Sequence, residues 1–597
     1  MRKILSKVLA MVLALALVVP MIPMKADAAV TGGQAIAMGI DVSKWQGNVN
    51  WAAVRSSGVQ FAFIKAYSAK SGVDPYFAQN IVNANAQGIR TGVYVYSYAT
   101  SVEAAVNEAN AVLSVIQNYP VSYPVAIDIE DSSQKGLSPD QLAAIANAFC
   151  ATIENAGYYP MVYANKSWFN TRIGAVAYDK WVAQYSNACD YGQVPCIWQA
   201  SCTASIPGVG GQVDLDYLYK DYSFIVAQGF SVVGNYKYFY NNYRRQRGWV
   251  EYAGQRYFCD PVYSFVRTGW LDGGGFFYYL GDDGAMSTGF RQIGTDTYYF
   301  GTDGIMRTGN VDVGTDKYLF AGDGKMYTGW WTPGDYMYFY GADGKMVFGF
   351  NDIAGARYYF NAAGQMQIGL QTIANQVYYF NEKGQMQTGM VPTVAGNMYF
   401  GADGVRATGL ITLPDGIRYF DPKTGVMQVG FVNFPEGTRY FDPATGVMAT
   451  GLTATVNGKC YFDGNGLMYK GLVALQDGTY YFDATTGAMA TGIISLPDGI
   501  RYFDAAGHMQ VGLVDVGTTK YYANPANGVL VAGLVSDAKG VRYFDPADYH
   551  MCTGITVISG ASFYLDPTTG YLVTGKNVTW NGHTYACDAN GVATLIK

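Results

Sequence analysis

Residues 298–309 read YYFGTDGIMRTG, and variants of this stretch recur along more than half of the chain. The methionines of successive copies lie twenty residues apart at first, as Met286, Met306 and Met326 do, and twenty or twenty-one apart beyond residue 406. A fixed period of this length predicts stacked copies of one small structural unit. The chain therefore divides into repeats, over residues 232–597, and a preceding part that lacks them.

Each copy predicts a β-hairpin, in which an aromatic strand such as Tyr298 to Phe300 is followed by a turn and a second strand that carries Met306. Asp-Gly pairs such as Asp303-Gly304 provide the positive φ angles that tight turns need. Because one hairpin cannot bury its aromatic face alone, we expect neighbouring hairpins to stack into an all-β solenoid.

The preceding part, residues 36–223, alternates short apolar runs with helical stretches. Eight strands with interleaved helices predict an α/β barrel of the TIM type, irregular near its end because the last connections are too short for helices. Ser138 and Pro139 are expected as the N-cap and first residue of a helix. The predicted strands are 38–40, 61–65, 91–98, 125–130, 160–163, 180–183, 196–199 and 212–215, and the predicted helices are 74–87, 102–117 and 138–155.

The first 28 residues are typical of a secretory signal peptide. Positive residues at the start, including Arg2 and Lys3, precede an apolar run over residues 8–19, and Ala26 and Ala28 form a small-residue cleavage site. An uncleaved membrane anchor is the alternative. Because every other apolar run is too short to span a bilayer, we expect a secreted protein without membrane association after signal removal.

Several classes of function are excluded by composition. The net charge of −6 and the pI of about 5.2 argue against nucleic-acid binding. The eight cysteines include no CxxC pair, although Cys189, Cys196 and Cys202 are close enough in sequence for a local disulfide. All three histidines lie in the repeats, so the barrel has neither a Ser-His-Asp nor a Cys-His site and lacks the usual zinc ligands. No metal or cofactor is expected.

Carboxylates remain for acid–base chemistry, and four of them lie on predicted strands or at their ends: Asp41, Asp128, Glu130 and Asp214. The carboxyl ends of barrel strands converge on one mouth. Asp128 and Glu130 are two residues apart, so both side chains point to the same side of an extended chain. Crowding raises the pKa of one member, which suits the acid of a glycosidase. The alternative is that such residues are helix caps or turn residues.

Aromatic and amide side chains are expected to bind substrate at the same mouth, because sugar faces pack on aromatic rings and amides bond hydroxyl or acetamido groups. For the tyrosines, core packing is the alternative. The candidates are Tyr96, Tyr98, Tyr163, Trp198 and Gln199.

Ordered motifs in residues 36–223 resemble those of glycoside hydrolase family 25, the lysozymes or N-acetylmuramidases. The matching stretches are Met38 to Ser43, Trp45 to Gly47, Asp128 to Glu130, Trp198-Gln199 and Val213 to Leu215. The resemblance implies a barrel of five β/α units with three further strands. It also implies cleavage of the β-1,4 bond between N-acetylmuramic acid and N-acetylglucosamine in peptidoglycan.

Matched to that family, Glu130 corresponds to the proton donor, and Asp128, Asp41 and Asp214 to its other active-site carboxylates. Asp128 is then expected to stabilise positive charge on the sugar ring or on an oxazolinium formed by the substrate's acetamido group. A carboxylate nucleophile or an inverting water remains an alternative. Many members have Tyr-His-Phe where this chain has Tyr96-Ser97-Tyr98, which implies altered subsite contacts.

The repeats resemble the cell-wall-binding repeats of choline-binding proteins, and equally those of glucan-binding proteins and clostridial toxins. In choline binders a Trp usually follows the Thr-Gly pair, as Trp270 and Trp330 do here, whereas most copies lack it. The implied partners are peptidoglycan and a wall polymer, either a choline-bearing teichoic acid or a polysaccharide, in a Gram-positive-type bacterium. Many weak sites in series would give avidity.

Three other functions are compatible with these patterns. The barrel could be a glucosaminidase or chitinase-like enzyme acting on a related N-acetylated glycan. The chain could be an adhesin with an inert barrel, although every expected carboxylate is present. A toxin-like receptor binder is the third, and the remaining length leaves no room for a toxin domain.

Overall fold

The computed structural model describes residues 29–30 and 33–597, and its contacts divide the chain into two compact units between Tyr327 and Thr328. The predicted signal peptide lies outside the described residues. No helix within the described part is long and apolar enough to cross a membrane. The eight cysteines are free thiols, so the local disulfide is not formed in this structure.

The first unit begins with a closed barrel of eight strands. Strands β1 to β7 are parallel, β8 runs antiparallel between β7 and β1, and the pairing of β1 with β2 closes the sheet. Two-residue strands lie at Ala29–Val30, Gly72–Val73 and Ala188–Cys189. The barrel strands are β1 (Ala37–Val42), β2 (Phe61–Ser68), β3 (Arg90–Tyr96), β4 (Val125–Asp128), β5 (Pro160–Asn165), β6 (Asp179–Ala183), β7 (Ile197–Ala204) and β8 (Val213–Leu218).

Helices connect the first six strands, and their ends follow ordinary capping chemistry. The Ser138 side chain accepts a hydrogen bond from the backbone of Gln141, and Pro139 is the first helical residue, as predicted. The second helix begins at Phe77, three residues later than expected. The helices are α1 (Trp51–Ser56), α2 (Phe77–Ala86), α3 (Val102–Ile116), α4 (Pro139–Asn155) and α5 (Lys166–Thr171), with short 3-10 turns at Lys44–Gln46 and Ser132–Gln134.

Two hydrophobic layers hold the barrel together. Outward side chains of the strands pack against the helices, as Val93 and Ile127 do. Inward side chains, including Phe61, Phe63 and Trp181, fill the interior. Successive side chains of a strand alternate between these two layers. Only every second residue of a strand can therefore face the interior and reach the mouth.

The remainder of the first unit consists of antiparallel strands joined by short hairpin turns, of two residues in most hairpins and of four residues between Asp272 and Phe277. The first sheet contacts the barrel, since Arg245 N donates to Gly157 O at 2.9 Å. The strands are Gln228–Val233, Tyr236–Asn241 and Arg244–Arg245, then Gly248–Tyr252 with Gln255–Cys259, Gly269–Asp272 with Phe277–Leu280, Gly289–Ile293 with Asp296–Phe300, and Gly309–Val313 with Asp316–Phe320.

The second unit repeats the same hairpin to the end of the chain. Its strands are Gly329–Trp331 with Tyr338–Tyr340, Gly349–Ile353 with Ala356–Phe360, Gly369–Ile373 with Gln376–Phe380, Gly389–Thr393 with Gly396–Phe400, Gly409–Leu413 with Gly416–Phe420 and Met427–Gln428, Gly430–Phe434 with Gly437–Phe441, Gly451–Thr455 with Gly458–Phe462, Gly471–Leu475 with Gly478–Phe482, Gly492–Leu496 with Gly499–Phe503, Gly512–Val516 with Thr519–Ala523, Gly533–Asp537 with Gly540–Phe544, Gly554–Ile558 with Ala561–Leu565, and Asn577–Trp580 with His583–Cys587 and Ala593–Leu595.

The observed hairpin pairs different strands from those that the sequence predicted. The strand after the Thr-Gly pair, Gly289–Ile293, pairs with the aromatic strand Asp296–Phe300, and the hairpin turn lies between them. Met306 forms only one bridge, to Phe300, because its backbone N–H donates to Phe277 O of the preceding hairpin at 2.8 Å. The segment that carries Met306 therefore connects one hairpin to another, whereas Met427–Gln428 also forms a short ladder with its own hairpin.

Glycine spacing follows from these methionines. Gly304 has a φ of 80°, and a Cβ there would lie 2.2 Å from Met286 Sδ. The turn glycine is thus needed both for its left-handed backbone and for the space that the previous methionine occupies. Gly384 with Met366 and Gly507 with Met489 repeat this contact, which explains why glycine and methionine share one period.

Candidate active site

Strand β4 carries two of the predicted carboxylates to the inner side of the barrel. Asp128 and Glu130 continue the inward row, while Ile127 and Ile129 pack outward. Asp128 is 5% exposed, and its Oδ1 has no hydrogen-bond partner among the described residues. Glu130 is partly exposed above it. A buried carboxylate oxygen without a donor is costly, so this atom is prepared to accept a hydrogen bond from a ligand.

Strand β8 contributes the opposite wall, and its antiparallel direction decides which of its residues reach the mouth. Asp214, near its start, is the register partner of Asp41 on β1. Asp216 follows on the same inner face, is fully buried and accepts a 2.8 Å hydrogen bond from Trp181 Nε1. Asp216 is not among the predicted carboxylates because the predicted strand ended at residue 215. The two-residue spacing from Asp214 is the feature that points to it.

A hydrogen-bond chain fixes Asp41. Gln199 Nε2 donates to Asp41 Oδ2 at 2.7 Å, and Gln199 Oε1 accepts from the hydroxyls of Tyr163, at 2.9 Å, and Tyr185, at 3.1 Å. Gln199 therefore holds the carboxylate and two tyrosines in place, and its carbonyl oxygen is already used within the protein.

The environment of Asp41 and Asp216 strongly favours the protonated form of both carboxyl groups. Burial raises the pKa of Asp41 well above its ordinary value, and the neighbouring charges of Asp216 and Asp214 raise it further, against the hydrogen bond from Gln199. Burial likewise raises the pKa of Asp216 well above the ordinary value, although the Trp181 hydrogen bond opposes this. Crowded acids of this kind cannot all be ionised at once.

Asp128 and Glu130 also have raised pKa values. A cation that was not predicted as part of the site, Lys65, acts on Asp128. Burial and then Glu130 raise the pKa of Asp128 well above its usual range, while Lys65 opposes the shift. Burial and then Asp214 raise the pKa of Glu130. The Lys65 ammonium also lies 5.0 Å from the centroid of the Tyr96 ring. Lys65 thus supplies positive charge on the Asp128 side of the site.

Three of the predicted substrate-binding tyrosines surround the carboxylates. Tyr96 and Tyr163 are the register partners of Asp128 on the two neighbouring strands. The Tyr96 hydroxyl donates to Asp131 at 3.2 Å, and its ring centroid lies 5.1 Å from that of Tyr98. Tyr96 and Tyr98 are partly exposed, whereas Tyr163 is buried. The first two are therefore available to a ligand.

Trp198 is not part of this group. It follows Ile197, which faces the interior, and so it points outward, where its ring packs against Tyr217 and its Nε1 donates to Gln184 O. At 1% exposure it belongs to the outer core. The alternation of the strand explains this placement, so we remove Trp198 from the substrate-binding set.

Ser97 likewise lies behind the mouth. Its buried hydroxyl donates to Glu108 of α3 at 2.6 Å, and Glu108 also accepts from Tyr98 N at 2.8 Å. At Ser97, the difference from the Tyr-His-Phe pattern therefore changes a contact with α3 behind the mouth. At Tyr98, which is partly exposed beside Tyr96, it changes a side chain that is available to a ligand, so the altered subsite contacts stay a prediction.

Comparisons with known families match both parts of the chain. Glycosyl hydrolases family 25 is the family that matches residues 40–209. The family of choline-binding repeats matches residues 449–492, and a family of cell wall binding repeats matches residues 288–306 and 368–386.

Curated relatives match the barrel part. Uncharacterized protein YegX of Escherichia coli K12 is 31% identical over 188 residues, which are 30% of this chain and 68% of that protein. Lysozyme M1 of Streptomyces globisporus is 32% identical over 195 residues, 30% of this chain and 65% of that protein. Autolytic lysozyme of Clostridium acetobutylicum is 27% identical over 181 residues, 30% of this chain and 54% of that protein. With its convergent carboxylates, this chain belongs to glycosyl hydrolase family 25 and carries C-terminal repeats of the cell-wall-binding type.

Proposed function

We propose that this glycoside hydrolase is a secreted lysozyme that cleaves the β-1,4 bond between N-acetylmuramic acid and N-acetylglucosamine in peptidoglycan. The single observation that carries the proposal is the buried Asp128 beside Glu130 at the mouth of a barrel that has no histidine. The lysozymes among its relatives support the same substrate.

Glu130 acts as the general acid. Its raised pKa keeps a proton on the carboxyl group at pH values where an ordinary glutamate is ionised, and its partial exposure gives the glycosidic oxygen access to that proton. After the bond breaks, the resulting carboxylate can accept a proton from the attacking water, which restores the acid.

Asp128 stabilises the positive charge that develops on the other side of the bond. Its partnerless Oδ1 can accept the N–H of the substrate's acetamido group, and this hydrogen bond favours the ionised carboxylate. Lys65 favours ionisation as well. This arrangement favours an oxazolinium formed by the substrate over a direct carboxylate nucleophile.

The remaining carboxylates and aromatic rings have supporting roles in this proposal. Asp41 and Asp214 line the opposite wall, where they bind sugar hydroxyls and control the charge around Glu130. Tyr96 and Tyr98 provide faces for the sugar rings, and Gln199 and Tyr163 position Asp41 from below.

The organisation of the chain completes the proposal. Residues 1–28 are a signal peptide, residues 36–223 form five β/α units followed by three strands, and residues 232–597 form a hairpin solenoid. The order of strands and helices supports the first division, and contacts such as that between Met286 and Gly304 support the second. The repeats hold the enzyme on a Gram-positive-type wall through choline or a polysaccharide.

Mass spectrometry of fragments released from purified peptidoglycan tests the reaction. Muramic acid at the new reducing ends is expected, because the bond after this sugar is cleaved. Glucosamine at the reducing ends would support the glucosaminidase alternative, and the absence of any fragments would support an adhesin with an inert barrel.

A further inference from the structure

The turn over residues 545–550, in the second unit, departs from the sequence of its counterparts in other repeats. Residues 442–447 read DPATGV, whereas residues 545–550 read DPADYH. Each follows the aromatic strand of a hairpin, which ends at Phe441 in the first case and at Phe544 in the second. An aspartate thus replaces the turn threonine, and a histidine replaces the valine. The turns that have the Thr-Gly pair in this place begin at Asp421, Asp442, Asp483 and Asp566.

In the ordinary turn, the threonine provides hydrogen-bond donors to the first aspartate. Asp442 Oδ1 accepts from two backbone N–H groups, at 3.0 and 2.8 Å, and from the Thr445 hydroxyl at 2.9 Å. Asp545 Oδ1 accepts from Ala547 N at 2.7 Å, and the part of the chain that the structure describes offers its carboxylate no other donor. Asp548 brings a second carboxylate where Thr445 brings a hydroxyl. Asp545 therefore keeps free acceptor capacity next to a like charge, which is an arrangement that a bound cation stabilises.

The imidazole of His550 completes a group of three possible metal ligands. Its Nδ1 is hydrogen-bonded to Asp548, and one ligand atom from each of Asp545, Asp548 and His550 lies within 4.8 Å of the other two. On the other side of the ring, Nε2 lies 3.8 Å from Sγ of the buried Cys552. When Nδ1 binds an ion, Nε2 keeps the ring proton and faces this sulfur, a weak acceptor that orients the ring. Among the residues that the structure describes, no other group of three His, Cys, Asp or Glu side chains meets this distance.

Packing explains the third unusual residue of this turn but not the two ligands beside it. Tyr549 has a φ of 65° and packs against a cluster that includes Val514 and Leu530, so its side chain has a structural reason. The side chains of Asp548 and His550 are 63% and 38% exposed, and an exposed ion pair contributes little to stability. Their exposure opens the group to ions in solvent and allows Asp548 to rotate, so that an ion can take the place of the proton between the two side chains.

The chemistry of these donors selects the class of ion. Imidazole nitrogen and carboxylate oxygen both bind zinc, at about 2.0–2.2 Å, in sites that keep a fourth position for water. Calcium prefers roughly six to eight oxygen ligands, which one imidazole and two carboxylates do not provide. The two carboxylates carry two negative charges, which one divalent cation balances. A divalent transition metal therefore fits this turn better than calcium does.

We propose that Asp545, Asp548 and His550 form a binding site for a divalent transition-metal ion of the zinc type, with water as the fourth ligand. The ion joins the beginning of the turn to its end. The next residue along the chain, Met551, donates its backbone N–H to Lys520 O of the preceding hairpin at 2.6 Å. A bound ion therefore stabilises the turn at the point where two successive hairpins are connected. None of the three ligands belongs to the barrel, so this proposal does not depend on the proposed hydrolase activity.

Equilibrium dialysis of the full chain against zinc chloride tests the site. The double variant Asp548→Thr with His550→Val restores the residues that the 442–447 turn has at these places, so it is expected to fold. It is expected to bind about one zinc ion fewer per chain than the unmodified protein. His508→Ala is the matched control, because His508 also follows a turn and lies 3.5 Å from Asp477 and from Asp504 without forming a three-ligand group. The control is expected to keep the site.

A single substitution and a competing ion sharpen the test. His550→Ala removes only the nitrogen ligand and is expected to weaken zinc binding at this site by about tenfold or more. Calcium chloride at the same concentration is expected not to displace the zinc. Equal zinc binding by the double variant and the unmodified chain, an equal loss in His508→Ala, or displacement by calcium would overturn the proposal. Release of reducing ends from peptidoglycan is expected to be the same in all variants, which separates a failure of this site from a failure of the proposed hydrolase.

Discussion

The barrel and the repeats build their functional surfaces in opposite ways. In the barrel, Asp41 and Asp214 are far apart in sequence and become neighbours only because β8 pairs with β1. In the repeats, Trp270 and Tyr298 belong to successive hairpins and meet through local contacts. One closed sheet can concentrate charge at a single point, as catalysis requires. A row of similar hairpins can only multiply modest binding sites, as attachment to a polymer requires.

The sharpest test of this contrast is removal of the acid. Glu130→Gln keeps the shape of the side chain but has no proton to give, so release of reducing ends from peptidoglycan is expected to fall by roughly 10³-fold or more. Sedimentation with intact walls is expected to be unchanged. Glu103→Gln, on the exposed first turn of α3, is the matched control and should retain full activity. Near-normal turnover by the first variant would contradict the assignment of Glu130.

Replacement of the charge stabiliser is expected to have the next largest effect. Asp128→Asn removes the carboxylate that faces the acetamido group, so kcat is expected to fall by roughly 10²- to 10³-fold. The same measurement on a substrate without the N-acetyl group separates the two possible routes. A variant that loses equal activity on both substrates would argue against participation of the acetamido group.

Alanine substitutions of one core residue in each region test how far a local loss of stability spreads through the barrel or through the repeats. Phe63 in the barrel and Phe360 in a hairpin are both fully buried, so replacement of either by Ala is expected to cost roughly 3–5 kcal/mol where it occurs. Hydrolysis of short soluble glycans should fall for Phe63→Ala after mild heating but not for Phe360→Ala. Equal losses of activity would mean that the two regions unfold together.

The smallest expected effect concerns the buried Asp216. Its raised pKa means that the folded state holds a proton more tightly than the unfolded chain, so stability is highest below the ordinary aspartate pKa and falls as the pH rises toward the folded value. Asp216→Asn cannot ionise, yet it can accept from Trp181. Its melting temperature is expected to exceed that of the unmodified chain by roughly 2–8 °C at pH 7. The difference should vanish near pH 3.5, and a constant difference would point to a packing effect instead.

Local sequence patterns were sufficient to predict most of the strands and helices of the barrel. The apolar runs and the Ser138-Pro139 pair located every barrel strand and the three predicted helices within a few residues, because strand alternation and capping depend on neighbours in the chain. The helix at Trp51–Ser56 and that at Lys166–Thr171 were missed, since each is only six residues long. The hairpin turn was misplaced because the period alone does not tell which strands pair.

Sequence by itself determined the period of the repeats, the absence of histidine from the barrel and the pairing of Asp128 with Glu130 on one side of a strand. Tertiary structure decided that Asp216 joins the acids, that Trp198 leaves them and that Gln199 bonds Asp41. These outcomes depend on the direction of β8 and on which face of β7 is inward. Neighbours in a strand obey local geometry, whereas neighbours across a closed sheet are set by the pairing of distant segments.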